Sequence, residues 1–203
     1  MGSAIMVLRH SSAMFETEAE LAELQSLLDV SLAGATEHLQ SIFTPGQRTL
    51  TAAQITTVCR GMCTLAISTV TANGEPRISA VDGHLLHGHW YFSTARGAAK
   101  ARHLAARPAV SVAYIRGEEV GVFTHGRAEP LNPVGGPDDP DWPALLQYMT
   151  DYYGSSPLNW DDDVVYYRLR PHWMVTFASH PDELMAAVQP PGDAGRLLGC
   201  RAG

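Results

Sequence analysis

Lys100 lies near the start of a short helical pattern, Gly97–Ala106, directly after an apolar strand pattern that ends WYFST at Thr94. A helix start presents N–H groups with no intrahelical partner and the positive end of the helix dipole. An ammonium there adds a full charge, and the combination is suited to phosphate. Thr94, at the strand end, can donate its hydroxyl to the same anion. One strand earlier, in PRISAVD, Arg77, Ser79 and Val81 alternate, so their side chains share one face.

Other chemistry-bearing residues divide into sharp and bland readings. His84, His87 and His89 form an H-x-x-H-x-H cluster, and imidazole is a common ligand of metals. They straddle an expected hairpin turn at His87-Gly88, however, where polar side chains face water, and no metal site is expected. His125, His172 and His180 sit in or beside later strands, where each reads as a satisfied or exposed histidine. Asp138, Asp139 and Asp141, with Asp161–Asp163, lack the alternation and glycine of a calcium loop and read as solvated carboxylates. Cys59, Cys63 and Cys200 are an odd number with no disulfide framework. Cys59 and Cys63 read as buried thiols rather than part of a zinc site, which needs more ligands.

These groups need a scaffold, and the patterns describe one. Residues 14–43 carry leucines at helical spacing, with Glu16, Glu18 and Glu20 at the start, where they suit the helix dipole. The segment reads as a dimer arm, a lid or a helix packed on the main fold, the last being the default for an amphipathic stripe. Thr51 and Gln54 make a capping box for a helix over Ala52–Arg60, closed by Gly61. From Gly61 onward the pattern is β. A strand over Cys63–Val70 and its partner Pro76–Asp82 flank the turn Ala72–Glu75, with the Asn-Gly hairpin signal. Leu85–Thr94 reads as a hairpin about His87-Gly88-His89. Ala109–Arg116 and Val120–Leu131 form another, through Gly117-Glu118. Gly121 and Gly126 suggest strand bends or close backbone approach. A loop follows over Asn132–Pro140, then a helix over Trp142–Tyr153, then two last strands, Val164–Leu169 and His172–Ala178.

Composition narrows the class. At 203 residues the chain is one domain with an appendage, or at most two small units. A net charge of −7 argues against nucleic-acid binding, which needs a concentrated basic surface. Only 17% of residues are charged against 45% hydrophobic, a balance that hints at a buried oligomer interface. No apolar run approaches a membrane span, and the apolar start MGSAIMVLRHSS is too short for a signal peptide. With free thiols suited to a reducing compartment, the expected location is the cytoplasm.

The strand LAISTV, then NGEPRISAV, then WYFSTARGAAKARHLAARPAVSVAY resemble, in that order, the pyridoxamine 5′-phosphate oxidase-like split barrels, which include the actinobacterial flavin- and deazaflavin-dependent oxidoreductases. The likeness extends more weakly through Trp142–Tyr153 and VVYYRLRPHWMVTF, and leaves out the first fifty residues. It implies a homodimer with two cofactor sites at the subunit interface. In it, Arg77, Ser79 and Val81 lie along the cofactor ring, Ser93, Thr94 and Lys100 hold its phosphate, and Trp160 or Trp173 stacks on the ring or walls the substrate pocket. Core packing is the default for Trp173.

Two departures refine this. Flavin-mononucleotide oxidases of the family usually carry Ser-Arg-Lys at the helix start, where this chain has Ala98-Ala99-Lys100. Without that hydroxyl and guanidinium, a phosphate dianion loses strong donors. The deazaflavin coenzyme F-420 presents a singly charged phosphodiester, so it ranks ahead of flavin mononucleotide (FMN), with haem third; Arg96 is a second candidate cation. The tail PDELMAAVQPPGDAGRLLGCRAG lacks the Arg- and His-bearing strand that clamps pyridoxamine phosphate, which argues against vitamin B6 oxidation.

The expected fold is therefore mainly β (α+β): a six- to seven-stranded split β-barrel with flanking helices. A helical extension occupies residues 1–50, the cofactor-binding barrel 51–180 and a loosely ordered tail 181–203. The expected function is hydride transfer between a bound deazaflavin or FMN and a small organic substrate, with no nucleic-acid or membrane partner. The alternatives are a haem-binding or haem-degrading split barrel and a flavin-binding module without turnover. No catalytic acid or base is singled out.

Overall fold

A computed structural model describes residues 15–159 and 163–188. Two helices lead, α1 (Glu18–Ala33) and α2 (Glu37–Ile42), followed by α3 (Ala52–Val58). The strands are β1 (Met62–Val70), β2 (Pro76–Leu86), β3 (His89–Ala95), β4 (Ala109–Arg116), β5 (Val120–Pro130) and β6 (Val164–Ala178). Helix α4 (Ala99–Ala106) joins β3 to β4, α5 (Trp142–Tyr153) joins β5 to β6, and α6 (Pro181–Ala187) follows β6. The six strands close in the order β1-β2-β3-β6-β5-β4, every pairing antiparallel.

Alternation explains the interior. Along β1, Cys63, Leu65, Ile67 and Thr69 are buried while Met62 and Thr64 are exposed. Leu65 and Ile67 join Trp90, Phe92, Val122 and Leu169 in the main core, each removed from water at roughly 1.5–3 kcal/mol for a large apolar side chain. Cys59 and Cys63 are buried free thiols. Capping and packing both act on the leading helices, the box at Thr51 as expected. Thr17 with Glu20 caps α1, and Thr51 with Gln54 caps α3. Leu24 and Leu28 of α1 enter the core, Ser31 Oγ accepts from Met174 N at 3.0 Å, and Thr176 Oγ1 accepts from Leu50 N at 2.8 Å. The leading segment is thus a helix layer packed on β6.

Three boundaries differ from the sequence pattern. The strand expected to stop at Asp82 runs on to Leu86, because Gly83 lets the backbone pass over Leu65; a Cβ there would lie 2.3 Å from Leu65 Cδ1. The two expected last strands are one, Val164–Ala178. Pro171, which cannot donate to a ladder, sits opposite Gly126 at a register shift between His125 and Gly126, so the strand bends instead of ending. The segment after Pro181, expected to be loose, begins with α6, whose Leu184 is buried in the main core. Proline at the helix start and Asp182 and Glu183 in its first turn favour that helix.

Candidate functional site

The split in the barrel lies between β2 and β3. Their ladder holds only Gly83–Leu86 against His89–Phe92, so the earlier part of β2 has strand pairing on its β1 side alone. Into this opening reaches Lys100, whose Nζ donates to the Ala80 carbonyl at 3.2 Å. The first residues of α4 lie beside it. Ala98, at the N-cap, offers no side-chain hydrogen bond, which leaves the first N–H groups of the helix free of side-chain caps. An ammonium, an uncapped eight-residue helix start and an unpaired strand edge therefore converge, and these donors fit a phosphate or phosphodiester.

The remaining expected residues divide among several places. Arg77, Ser79 and Val81 share the inward-facing side of β2, opposite Thr69, Ile67 and Leu65 of β1. Val81 is in the core and pairs with Leu65 of β1, and Arg77 is exposed and paired with Glu75 at 2.7 Å. Ser93 and Thr94 are adjacent in one strand and so face opposite sides. Thr94 follows Trp90 and Phe92 inward, whereas Ser93 faces outward and bonds the Tyr166 hydroxyl. The two hydroxyls thus do not converge on one anion. Arg96 turns from Lys100: its Nη2 donates to the Asn132 carbonyl at 2.6 Å, and its Nε lies 3.6 Å from Asp163 Oδ1. Trp160 lies outside the described residues. Trp173 stacks on His125, ring centroids 4.6 Å apart.

The histidine cluster is corrected in the structure. His84, expected to face water, is 2% exposed, because α5 lies over the outer face of β2. Its Nε2 is 3.0 Å from Tyr153 Oη and its Nδ1 3.3 Å from Tyr148 Oη, with the Tyr152 ring packed edge-on. Burial pulls its pKa down to about 4, so it is neutral near pH 7. Burial likewise pushes the Tyr148 and Tyr153 phenols up to about 12. His87 bonds Glu20 of α1 at 2.9 Å, and His89 bonds the His87 carbonyl. Among the described residues, no three metal-ligating side chains gather at one point.

Sequence reasoning missed Asp82, Tyr153 and Tyr166. Strand alternation puts Asp82, His84 and Ser93 on the outer face by the split; burial raises the pKa of both Tyr153 and Tyr166, and the Asp82 charge adds to it. The available signal was Tyr148 and Tyr153 within a helix, read as an apolar face only.

The family model described as pyridoxamine 5′-phosphate oxidase matches residues 52–176. No curated protein matches the sequence. Among solved structures, a conserved hypothetical protein, Rv2991, from Mycobacterium tuberculosis is 18% identical, with a TM-score of 0.50 over 75% of this chain and 96% of its own. The heme storage protein HutZ from Vibrio cholerae is 21% identical, with a TM-score of 0.51 over 63% of this chain and 97% of its own. A protein described as F420 reductase is 20% identical, with a TM-score of 0.45 over 58% and 93%.

Proposed function

We propose, from the premise that the chain belongs to the pyridoxamine 5′-phosphate oxidase family, that it is an oxidoreductase using a flavin-type cofactor, with coenzyme F-420 ahead of FMN. The observation that carries this reading is Lys100 at the unpaired edge of β2, beside the uncapped start of α4. The bound cofactor supplies the hydride acceptor or donor. Lys100 and the free N–H groups of α4 hold its phosphate group. The open edge of β2 at Ala80–Asp82 offers backbone donors and acceptors to the polar rim of a flat ring. Ser93, Tyr166, Tyr153 and Asp82 line the outer side of the same opening, and α5 excludes water behind them.

With one ammonium and no Ser-Arg pair, the cradle suits the single charge of a phosphodiester better than a dianion. That ranks F-420 first. His84 has both ring nitrogens bonded to phenols, which disfavours haem ligation through it. No helix among the described residues is long and apolar enough to cross a membrane.

A second copy of the chain completes the site in this proposal. The outer faces of β1, β2 and β4 beside the split expose Met62, Ile78 and Ile115, with small residues such as Ala66 and Ala113 between. Small side chains and apolar ones of this kind allow close approach of a second sheet.

The test is fluorescence and absorbance titration of the purified protein with F-420, FMN and haem, alongside Lys100→Ala. The expected result is saturable F-420 binding that Lys100→Ala weakens about tenfold or more, the scale of one charged hydrogen bond. Tighter binding of FMN would reverse the cofactor order, and binding of haem alone would overturn the reading.

A further inference from the structure

Helix α4 has a second functional side. Lys100 and His103 turn toward β2 and β1, where His103 Nδ1 lies 3.0 Å from Thr69 Oγ1. Ala101, Arg102, Leu104 and Ala105 turn the other way, into a groove of about 680 Å³ between α4, the end of β5 and the start of β6. That size is ordinary for a site that encloses a small organic molecule. Its floor is apolar, formed by Leu104, Val165 and Tyr167, all buried members of the main core.

The charged lining is mostly basic, three arginines to one carboxylate. Arg96, Arg102 and Arg127 line the groove, in a chain whose net charge is −7. Arg96 is held in place by the Asn132 carbonyl, and Arg102 bonds the Gly97 carbonyl. Neither Arg102 nor Arg127 has a carboxylate partner among the described residues. The lining carboxylate, Glu129, is committed elsewhere: its Oε2 accepts from Arg170 Nε at 2.6 Å and from Arg168 Nη2 at 3.3 Å. An apolar floor with two uncompensated guanidinium groups at its rim favours an occupant with an apolar body and a planar anionic head.

We infer that this groove binds an amphipathic organic carboxylate, its chain or ring on Leu104, Val165 and Tyr167 and its carboxylate held by Arg102 and Arg127. The site is separate from the Lys100 cleft, because the two lie on different sides of α4. It adds to the proposed redox function and does not depend on it.

The probe is 11-(dansylamino)undecanoate, followed by fluorescence with the full chain. Saturable binding at one site per chain is expected, displaced by decanoate and not by 1-decanol. The double variant Arg102→Ser, Arg127→Ser should weaken it about tenfold or more, two charged contacts being lost. Ala105→Phe, which fills the groove from an exposed helix position, should block it while the melting temperature holds. Lys100→Ala and saturating FMN should leave the signal unchanged. Absence of saturation overturns the inference, as does equal affinity in the arginine double variant. Displacement by 1-decanol as effective as by decanoate would make the groove merely apolar. Loss of signal with FMN or in Lys100→Ala would put the probe in the cofactor cleft, and would equally overturn it.

Discussion

On the outer face of β2, Ile78 is 77% exposed and His84, on the same face, is 2% exposed. Strand alternation treats the two alike; what separates them is the cover. Helix α5 lies over the later half, and beneath it Leu145, Met149, Trp142, Tyr91 and Tyr166 form a second, smaller core. A polar group taken under such a cover needs partners. His84 has the phenols of Tyr148 and Tyr153, and Arg168 has Asp141 at 2.6 Å and Asp139 at 2.8 Å. The open half makes no such demands: beside Ile78 stand Ser68, Ala66 and Ala113. The barrel interior is thus set by each strand's own pattern, whereas the outer face takes its character from whatever lies over it. That contrast locates the cofactor proposal at the border between the halves.

The covered half should show the largest losses on truncation. Leu145→Ala removes a fully buried side chain from the α5 interface and should cost about 3 kcal/mol, read as a drop in the urea midpoint with an unchanged slope. Arg168→Met should cost about 2 kcal/mol. This is less than for a fully buried pair, because Asp141 and Glu129 are partly exposed and regain water. If Leu145→Ala changed stability by less than half a kilocalorie, α5 would not be the cover described here.

Acid should act on the same half. A histidine in an unfolded chain titrates near 6.5, and His84 in the fold at about 4. Between those values the unfolded chain binds the additional proton. The His84 contribution is therefore intact above pH 6.5 and is lost as pH falls toward 4, by up to about 3 kcal/mol. Urea titrations at pH 7.5 and 5 should show a smaller pH effect in His84→Gln than in the parent. Equal pH effects in both would place the dependence on other groups.

What could be read from the chain follows the same division. The Asn73-Gly74 turn, the capping box at Thr51, and the strand-to-helix passage at Lys100 depend on neighbours in sequence, and each reads locally. Continuation of β2 through Gly83 depends on Leu65 beneath it, and the single bent strand β6 on Gly126 of β5, where a Cβ would lie 2.2 Å from the Arg170 carbonyl oxygen. His84 looked solvated because its phenolic partners stand some sixty residues on, at Tyr148 and Tyr153. Ser93 and Thr94 looked like a pair because both are hydroxyls at one strand end, yet alternation alone separates them. The candidate site was therefore legible at Lys100, whose setting is local, and illegible at Asp82, Tyr153 and Tyr166, which only the closed sheet brings near one another.

The open half should respond in assembly and hardly at all in stability. Ile78→Asp alters an exposed side chain on no packed cluster, so the urea midpoint should move by no more than about 0.5 kcal/mol. If a second copy covers this face, a carboxylate there must be desolvated without a partner, and the dimer should weaken. Sedimentation velocity of parent and variant over a concentration series reads that directly. A parent that stays monomeric would remove the second copy from the site and leave the β2 opening to function within one chain. A dimer that survives Ile78→Asp would move the interface off this face while leaving the contrast between the two halves intact, since that contrast rests on α5 and not on the partner.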